Sequence, residues 1–172
     1  MSGNERQSSD RRVERSRAAL LSAFNRLILE RGFDSLTAAE VADAANVGRS
    51  TFYAHYTSLA DLLSVAIGPI LTPLANAAVR EEPQLTAMLD HVWENRVMAR
   101  KLLTGDNRRQ LVQLLASKIE ALLAKPAQAD APIAGLTALR IAGGQLAVLE
   151  YWLSGRAAGT AADIARVLQD RR

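Results

Sequence analysis

Thr37-Ala38-Ala39-Glu40-Val41-Ala42-Asp43-Ala44-Ala45-Asn46-Val47-Gly48-Arg49-Ser50-Thr51-Phe52-Tyr53-Ala54-His55 is the stretch on which the fold turns. Its first four residues make a capping box: the threonine hydroxyl accepts from the third helical amide, and the glutamate reaches back to the amide of the cap residue. Leu36 before the cap and Val41 after it stand at the spacing of a hydrophobic staple. The helix so begun is short, because Asn46 tolerates the left-handed conformation that ends a helix and Gly48 follows at once. A further short helix is predicted over Arg49–His55. Ala38–Ala45, the turn Asn46-Val47-Gly48 and Arg49–His55 thus describe a helix-turn-helix, supporting helix first and recognition helix second.

Val41, Ala42, Ala45, Val47 and Phe52 are the expected core between the two helices. That leaves Arg49, Ser50, Thr51, Tyr53 and His55 on the outer face of the second. These side chains suit a major groove: arginine bridges guanine O6 and N7, hydroxyls serve base edges or phosphates, and tyrosine and histidine reach the backbone. The helix starts near Thr37 and Ser58 carry unpaired amides that can hold phosphate. Gly48 and Tyr56 complete the candidate DNA-binding set of Thr37, Gly48, Arg49, Ser50, Thr51, Tyr53, His55, Tyr56 and Ser58.

Working outward, a first helix carries Val13, Leu20, Leu21, Phe24, Leu27 and Ile28 at helical spacing and stops at Gly32. Residues 1–11 are expected to be a disordered basic arm. From Arg6 to Arg17 five arginines face only Glu5, Asp10 and Glu14, a composition that serves equally as a phosphate-attracting arm or a solvated tail. After the recognition helix, Ser58 caps a fourth helix with Asp61 as its box partner, and Gly68-Pro69, with Pro73 beyond, predicts a kink or break. Further helices are expected over Gln84–Leu103, Asp106–Ala124, Pro132–Ser154 and Thr160–Gln169. Their separators are Gly105, a linker over Lys125–Ala131, and Gly155–Gly159.

Strand signals are nearly missing, so the fold class is all-α: a three-helix N-terminal DNA-binding domain over 12–66 and a helical regulatory and dimerisation domain over 67–172. The chain has 172 residues, 49% of them hydrophobic, enough for a real core. The absence of cysteine removes any disulfide framework, thiolate nucleophile or thiolate metal site. No uninterrupted apolar run approaches the roughly 18 residues needed to span a bilayer, and the polar start is unlike a secretory signal, so a soluble cytoplasmic protein with no membrane partner is expected. The net charge of +3 does not locate a DNA site, because up to Asp61 eight arginines meet eight acids.

The stretch from about Arg12 to Ala66 closely resembles the tetracycline-repressor (TetR) family. The matching pieces are Gly32-Phe33-Asp34-Ser35-Leu36-Thr37, Ala38-Ala39-Glu40-Val41, and Ser50-Thr51-Phe52-Tyr53-Ala54-His55-Tyr56, followed by Leu59-Ala60-Asp61-Leu62-Leu63, in the family's order and spacing. The resemblance implies that Thr37 caps the second helix and touches phosphate. It implies that Arg49, Ser50 and Thr51 read bases, and that Tyr53 and His55 contact phosphate and nearby bases. It also implies a homodimer on a palindromic double-stranded operator, controlled by a small-molecule effector. The chain departs from the pattern at Leu59, where the family commonly has a lysine that contacts phosphate.

The regulatory half holds no motif tied to a ligand class. His91 and Trp93 are the candidate effector-pocket residues, although apolar stripes such as Met88, Leu89, Trp93 and Met98 serve equally as core. Ile133–Leu153 is apolar around much of its circumference, and Ala142, Gly143 and Gly144 allow another helix close approach. With the last helix it offers Leu146, Leu149, Trp152, Leu153, Ile164 and Leu168 as a dimer interface, or else as the centre of a monomer. No catalytic constellation, cofactor motif or metal cluster is evident, with two histidines and no glycine-rich phosphate loop. The competing reading is a helical small-molecule carrier whose DNA-binding head is inert.

Overall fold

The computed structural model describes residues 2–104, 107–123 and 131–170. Among these the regular structure is helical: α1 (Ser2–Arg31), α2 (Ala38–Ala44), α3 (Arg49–His55), α4 (Leu59–Ala77), α5 (Leu85–Glu94), α6 (Arg96–Leu103), α7 (Asn107–Leu123), α8 (Ala131–Leu153) and α9 (Ala161–Gln169), with a 3-10 turn at Phe33–Ser35. The chain divides into two compact units, Met1–Ala66 and Ile67–Arg172.

In the first unit α1, α2 and α3 pack on one another around Leu20, Phe24, Ile28, Val41, Ala42 and Phe52. The capping box forms as the sequence predicts: Glu40 N donates to Thr37 Oγ1 (3.2 Å), and Thr37 N donates to Glu40 Oε2 (2.8 Å). Asn46 takes a φ of 54°. Val47 N donates to Ala42 O and Asn46 N to Asp43 O, both at 3.0 Å, so the left-handed asparagine closes α2 in a Schellman arrangement. Gly32, at φ 79° and ψ 160°, ends α1 in a region of backbone space open essentially to glycine alone.

Three expectations are corrected here. Residues 1–11 are not a disordered arm, since α1 is helical from Ser2. The stretch contains no proline to interrupt a helix and runs on directly into the helix that carries Leu20, Phe24 and Ile28. Second, α4 runs unbroken through Gly68, Pro69 and Pro73. Its apolar residues Leu62, Leu63, Ile67, Leu71 and Leu74 are all buried, and that burial outweighs two lost amide donors. Third, the single helix expected over Gln84–Leu103 is two helices. Asn95 parts them: its backbone N–H and its Nδ2 both donate to His91 O, at 3.2 and 2.9 Å, the local competition that makes asparagine poor inside helices.

The second unit is a helical assembly in which α7 and α6 pack on α8, and α5 and α8 pack on α9. α9 opens with a second capping box, Thr160 with Asp163. Gly105 and residues 125–130 of the expected linker lie outside the described residues.

Two helices, Leu59–Ala77 and Ile133–Leu153, are long and apolar enough to cross a membrane by length and composition alone. Neither is an uninterrupted apolar run, so the expectation on runs is not contradicted. Isolated polar residues (Asp61 and Asn76 in α4; Arg140, Gln145 and Glu150 in α8) interrupt an apolar run without lowering the average much.

Candidate nucleic-acid interface

The outer face of α3 is built by what lies beneath it. Phe52 is fully buried, and Tyr53 sets its ring edge-on to it at 5.3 Å while remaining 60% exposed. Arg49 and Ser50 are exposed and Thr51 is half-buried on the same short helix. Gly48 is its N-cap and supplies only a carbonyl, accepting from Thr51 N (2.9 Å) and Phe52 N (3.1 Å). The structure therefore brings Gly48, Arg49, Ser50, Thr51 and Tyr53 together.

His55 is half-buried, and its Nε2 lies 2.7 Å from Ser16 Oγ. This hydrogen bond ties the end of α3 to α1, thirty-nine residues away, and leaves Nδ1 as the ring nitrogen for any outside partner. Sequence reasoning missed Ser16. A second tie also escaped it: Arg31 Nη2 pairs with Glu40 Oε1 at 2.9 Å and donates to Ser35 O at 3.0 Å, fixing the end of α1 to the start of α2.

Thr37 and Ser58 differ. Thr37 Oγ1 donates to Glu40 Oε2 at 2.7 Å, and its amide donates to the same oxygen, so both Thr37 donors are engaged inside the capping box. Ser58 Oγ accepts from Asp61 N at 3.1 Å, and Asp61 Oδ2 accepts from Thr57 N at 3.0 Å. The expected box thus closes on Thr57 instead of Ser58. The Ser58 hydroxyl hydrogen remains available to phosphate.

Tyr56 does not join the face. It is 3% exposed, packs 5.9 Å from Phe52, and its hydroxyl has no hydrogen-bond partner. Expected as a DNA contact, it is part of the platform under α3. Leu59 is half-buried at the first position of α4.

The box carboxylate of Glu40 is held below its ordinary range, first by the Thr37 hydroxyl and then by Arg31. It is therefore ionised at neutral pH, the state in which it accepts all these hydrogen bonds.

In the second unit the other candidates separate. His91 is exposed. Trp93 stacks on Trp152 with centroids 4.8 Å apart, and the Arg96 guanidinium lies 5.3 Å from the Trp93 ring centre. Neither residue lines the apolar cavity that the structure contains. That cavity, about 50 Å³, has aliphatic walls from α4 to α8, among them Leu71, Leu74, Val92, Leu103, Leu146 and Leu149. The two expected pocket residues thus lie apart from this space: Trp93 is partly exposed over the buried Trp152, and the residues lining the space are aliphatic.

The expected dimer residues are corrected as well. Leu146, Leu149, Trp152, Leu153, Ile164 and Leu168 are all buried within the chain's own core. Trp152 Nε1 also donates to Gly159 O at 2.9 Å. The outward stripe of α8 is a different set: Ile133, Leu136, Leu139, Gly144, Ala147 and Tyr151 are exposed at helical spacing, with Val167 exposed on α9. Among the described residues no group of three or more His, Asp or Glu side chains is placed to hold a metal ion.

A capped helix-turn-helix with an outward recognition face, carried on an all-helical chain, defines a DNA-binding transcriptional regulator. Residues 20–66 match the family described as bacterial regulatory proteins, tetR family. Among solved structures, a TetR transcriptional regulator from Streptococcus agalactiae 2603V is similar, with a TM-score of 0.58 at 24% identity, over 95% of this chain and 96% of that one. The dihydroxyacetone kinase operon activator DhaS aligns over 89% of this chain and 93% of that one, at 16% identity and a TM-score of 0.46. No curated protein sequence matches the chain.

Proposed function

We propose that the chain is a cytoplasmic, ligand-responsive repressor that binds a palindromic operator as a homodimer. The observation that carries this reading is the face of α3, where Arg49, Ser50 and Tyr53 are exposed on a helix anchored by Phe52, Tyr56 and the Ser16–His55 hydrogen bond. Arg49 reads a base edge, Ser50 and Thr51 read bases or phosphate, and Tyr53, His55 and Ser58 hold the backbone. Two copies would set their recognition helices about 34–36 Å apart, one helical turn of DNA.

The second copy docks on the outward face of α8 and α9. Ile133, Leu136, Leu139, Tyr151 and Val167 present an apolar surface, and a side chain added at Gly143 or Gly144 would meet nothing in the chain itself. Two glycines inside a helix, each costing about 1 kcal/mol against alanine, are accounted for by close approach of a partner helix.

The effector enters the leucine-walled cavity. At about 50 Å³ the cavity is smaller than the roughly 300–1,000 Å³ of ordinary ligand sites, so binding must part the helices around it. α4 contributes Leu71 and Leu74 to that wall and continues back to Leu59, beside the Ser58 cap. An effector that binds the displaced arrangement more tightly draws the protein away from its DNA-bound state, and the ratio of affinities sets the size of the switch.

The test is stoichiometric. Titrated against a duplex carrying its selected site, the purified chain should bind as two copies per duplex. The affinity should fall by orders of magnitude between 50 and 200 mM salt. One copy per duplex, or an affinity indifferent to salt and sequence, contradicts the reading.

A further inference from the structure

A second concavity in the helical unit, about 340 Å³, lies between the ends of α6 and α8 and opens to solvent. Its volume falls within the roughly 300–1,000 Å³ of ordinary small-molecule sites. It shares no lining residue with the leucine-walled cavity. Two of its lining side chains are arginines, one from each helix end. Arg100 stands in the last turn of α6. Arg156 follows α8, and its backbone is fixed there: Gly155 takes a φ of 76°, Gly155 N donates to Trp152 O at 2.9 Å, and Arg156 N donates to Tyr151 O at 3.2 Å. This Schellman turn brings Arg156 back beside the last turn of α8.

Neither guanidinium has an ion-pair or hydrogen-bond partner among the described residues. The one carboxylate in the lining, Glu150, is answered by Arg108 from α7 at 3.3 Å. Thr104 Oγ1 donates to Arg100 O at 2.9 Å and Ser154 Oγ to Tyr151 O at 2.8 Å, so both hydroxyl hydrogens are committed to the helix ends. The donors left in the lining are the two guanidinium groups and the Tyr151 hydroxyl. A helix dipole favours a cation at a C-terminus, which accounts for either arginine alone. It does not account for two unpaired guanidinium groups on one concavity, where each charge disfavours the other.

We infer that this concavity binds a small organic anion, an oxyanion head on a compact apolar body. Arg100 and Arg156 hold the head, carboxylate or phosphate, through the paired N–H donors of a guanidinium. Ala147 and the exposed ring of Tyr151 pack against the body. Both also belong to the outward stripe of α8, so the site borders the face on which a second copy is proposed to dock. The inference does not rest on the leucine-walled cavity, and the failure of one leaves the other standing.

Benzoate and benzamide make the comparison, being close in shape and differing in charge. Each is titrated calorimetrically into the full chain at low salt. Benzoate should bind more tightly than benzamide by about tenfold, or about 1.4 kcal/mol. Arg100→Gln and Arg156→Gln should each remove most of that preference by weakening benzoate alone. Arg109→Gln, which takes an exposed charge from α7 outside the lining, should leave both affinities unchanged. Raising the salt from about 50 to about 500 mM should weaken benzoate and spare benzamide, so the inference stays decidable even if an arginine variant fails to fold. Phenyl phosphate is the second anion. Bound more tightly than benzoate it makes the head a phosphate, and bound more weakly a carboxylate; either order supports the site when both lining variants weaken it. Equal affinity for benzoate and benzamide, a loss in Arg109→Gln as large as in the lining variants, or no saturable binding of either anion overturns the inference.

Discussion

At the scale of single residues, the recognition face rests on hydrogen bonds that are almost all local to a cap or a turn. If Arg49 reads a base, Arg49→Ala should weaken binding to the selected operator by about 1–3 kcal/mol and relax selectivity at one base position. An anisotropy titration on cognate and mismatched duplexes decides between this and an equal loss on all sequences, the mark of a phosphate contact. Tyr56 allows a sharper statement. Its hydroxyl is buried without a partner, so Tyr56→Phe should leave the unfolding temperature unchanged or raise it, since removing an unsatisfied polar group is neutral or favourable. A loss above about 1 kcal/mol would mean that the hydroxyl has a partner after all. Glu40 gives the pH dependence. Its carboxyl is depressed below its ordinary value of 4.5 by the Thr37 hydroxyl and Arg31, so its contribution is present above that value and is lost as pH falls through the depressed one. Asp163, depressed below 3.8 by Thr160 at the start of α9, behaves alike. Thermal unfolding followed from pH 7 down to pH 3 should therefore show a shallower acid decline in Glu40→Gln than in the native chain. An identical decline would show that the box carboxylate does not contribute to it.

At the scale of elements, legibility in the sequence followed the range of the forces involved. α2, its capping box, the left-handed Asn46 and the bounds of α3 were all readable, because each is set by residues within a few positions of one another. The ties from α1 to the reading head were not. Ser16 meets His55 across thirty-nine residues, and no local pattern marks a serine in a helix as the partner of a distant histidine. The Gly68-Pro69 signal was local and strong, yet burial along α4 overrode it. The face of α8 was hard to read for a related reason. A helix apolar on most sides gives no periodicity to say which residues meet the chain's own core and which meet a second copy. Gly68 now offers a test of α4. A side chain there would meet nothing within 4 Å, and its φ lies outside the left-handed range. Gly68→Ala is thus expected to stabilise the protein by about 0.5–1 kcal/mol in denaturant unfolding. A destabilised variant would mean that α4 needs the glycine to bend.

At the scale of the whole molecule, one chain carries the proposed reading head and a helical unit proposed to dimerise and to bind a ligand. The head was legible because sequence-specific DNA contact requires particular side chains at fixed positions on a short helix. The regulatory unit was not, because a pocket of aliphatic walls is indistinguishable in sequence from core. The outward stripe of α8 can be tested by size. Gly144→Leu places a large side chain where the chain itself has open space, so the fold should hold while the dimer dissociates, seen as a fall to the monomer mass in sedimentation velocity. A stable dimer in that variant would move the interface elsewhere.

The central claim is that the outer face of α3 reads a two-fold symmetric operator, and the most direct measurement is selection of binding sites from random duplex DNA at near-physiological salt, run side by side with the native protein and Arg49→Ala. The expected result is a palindromic motif for the native protein, with half-sites one helical turn apart, and the same motif with one symmetric pair of positions relaxed for the variant. Enrichment of no motif by refolded native protein, or of an identical motif by both, would contradict the claim.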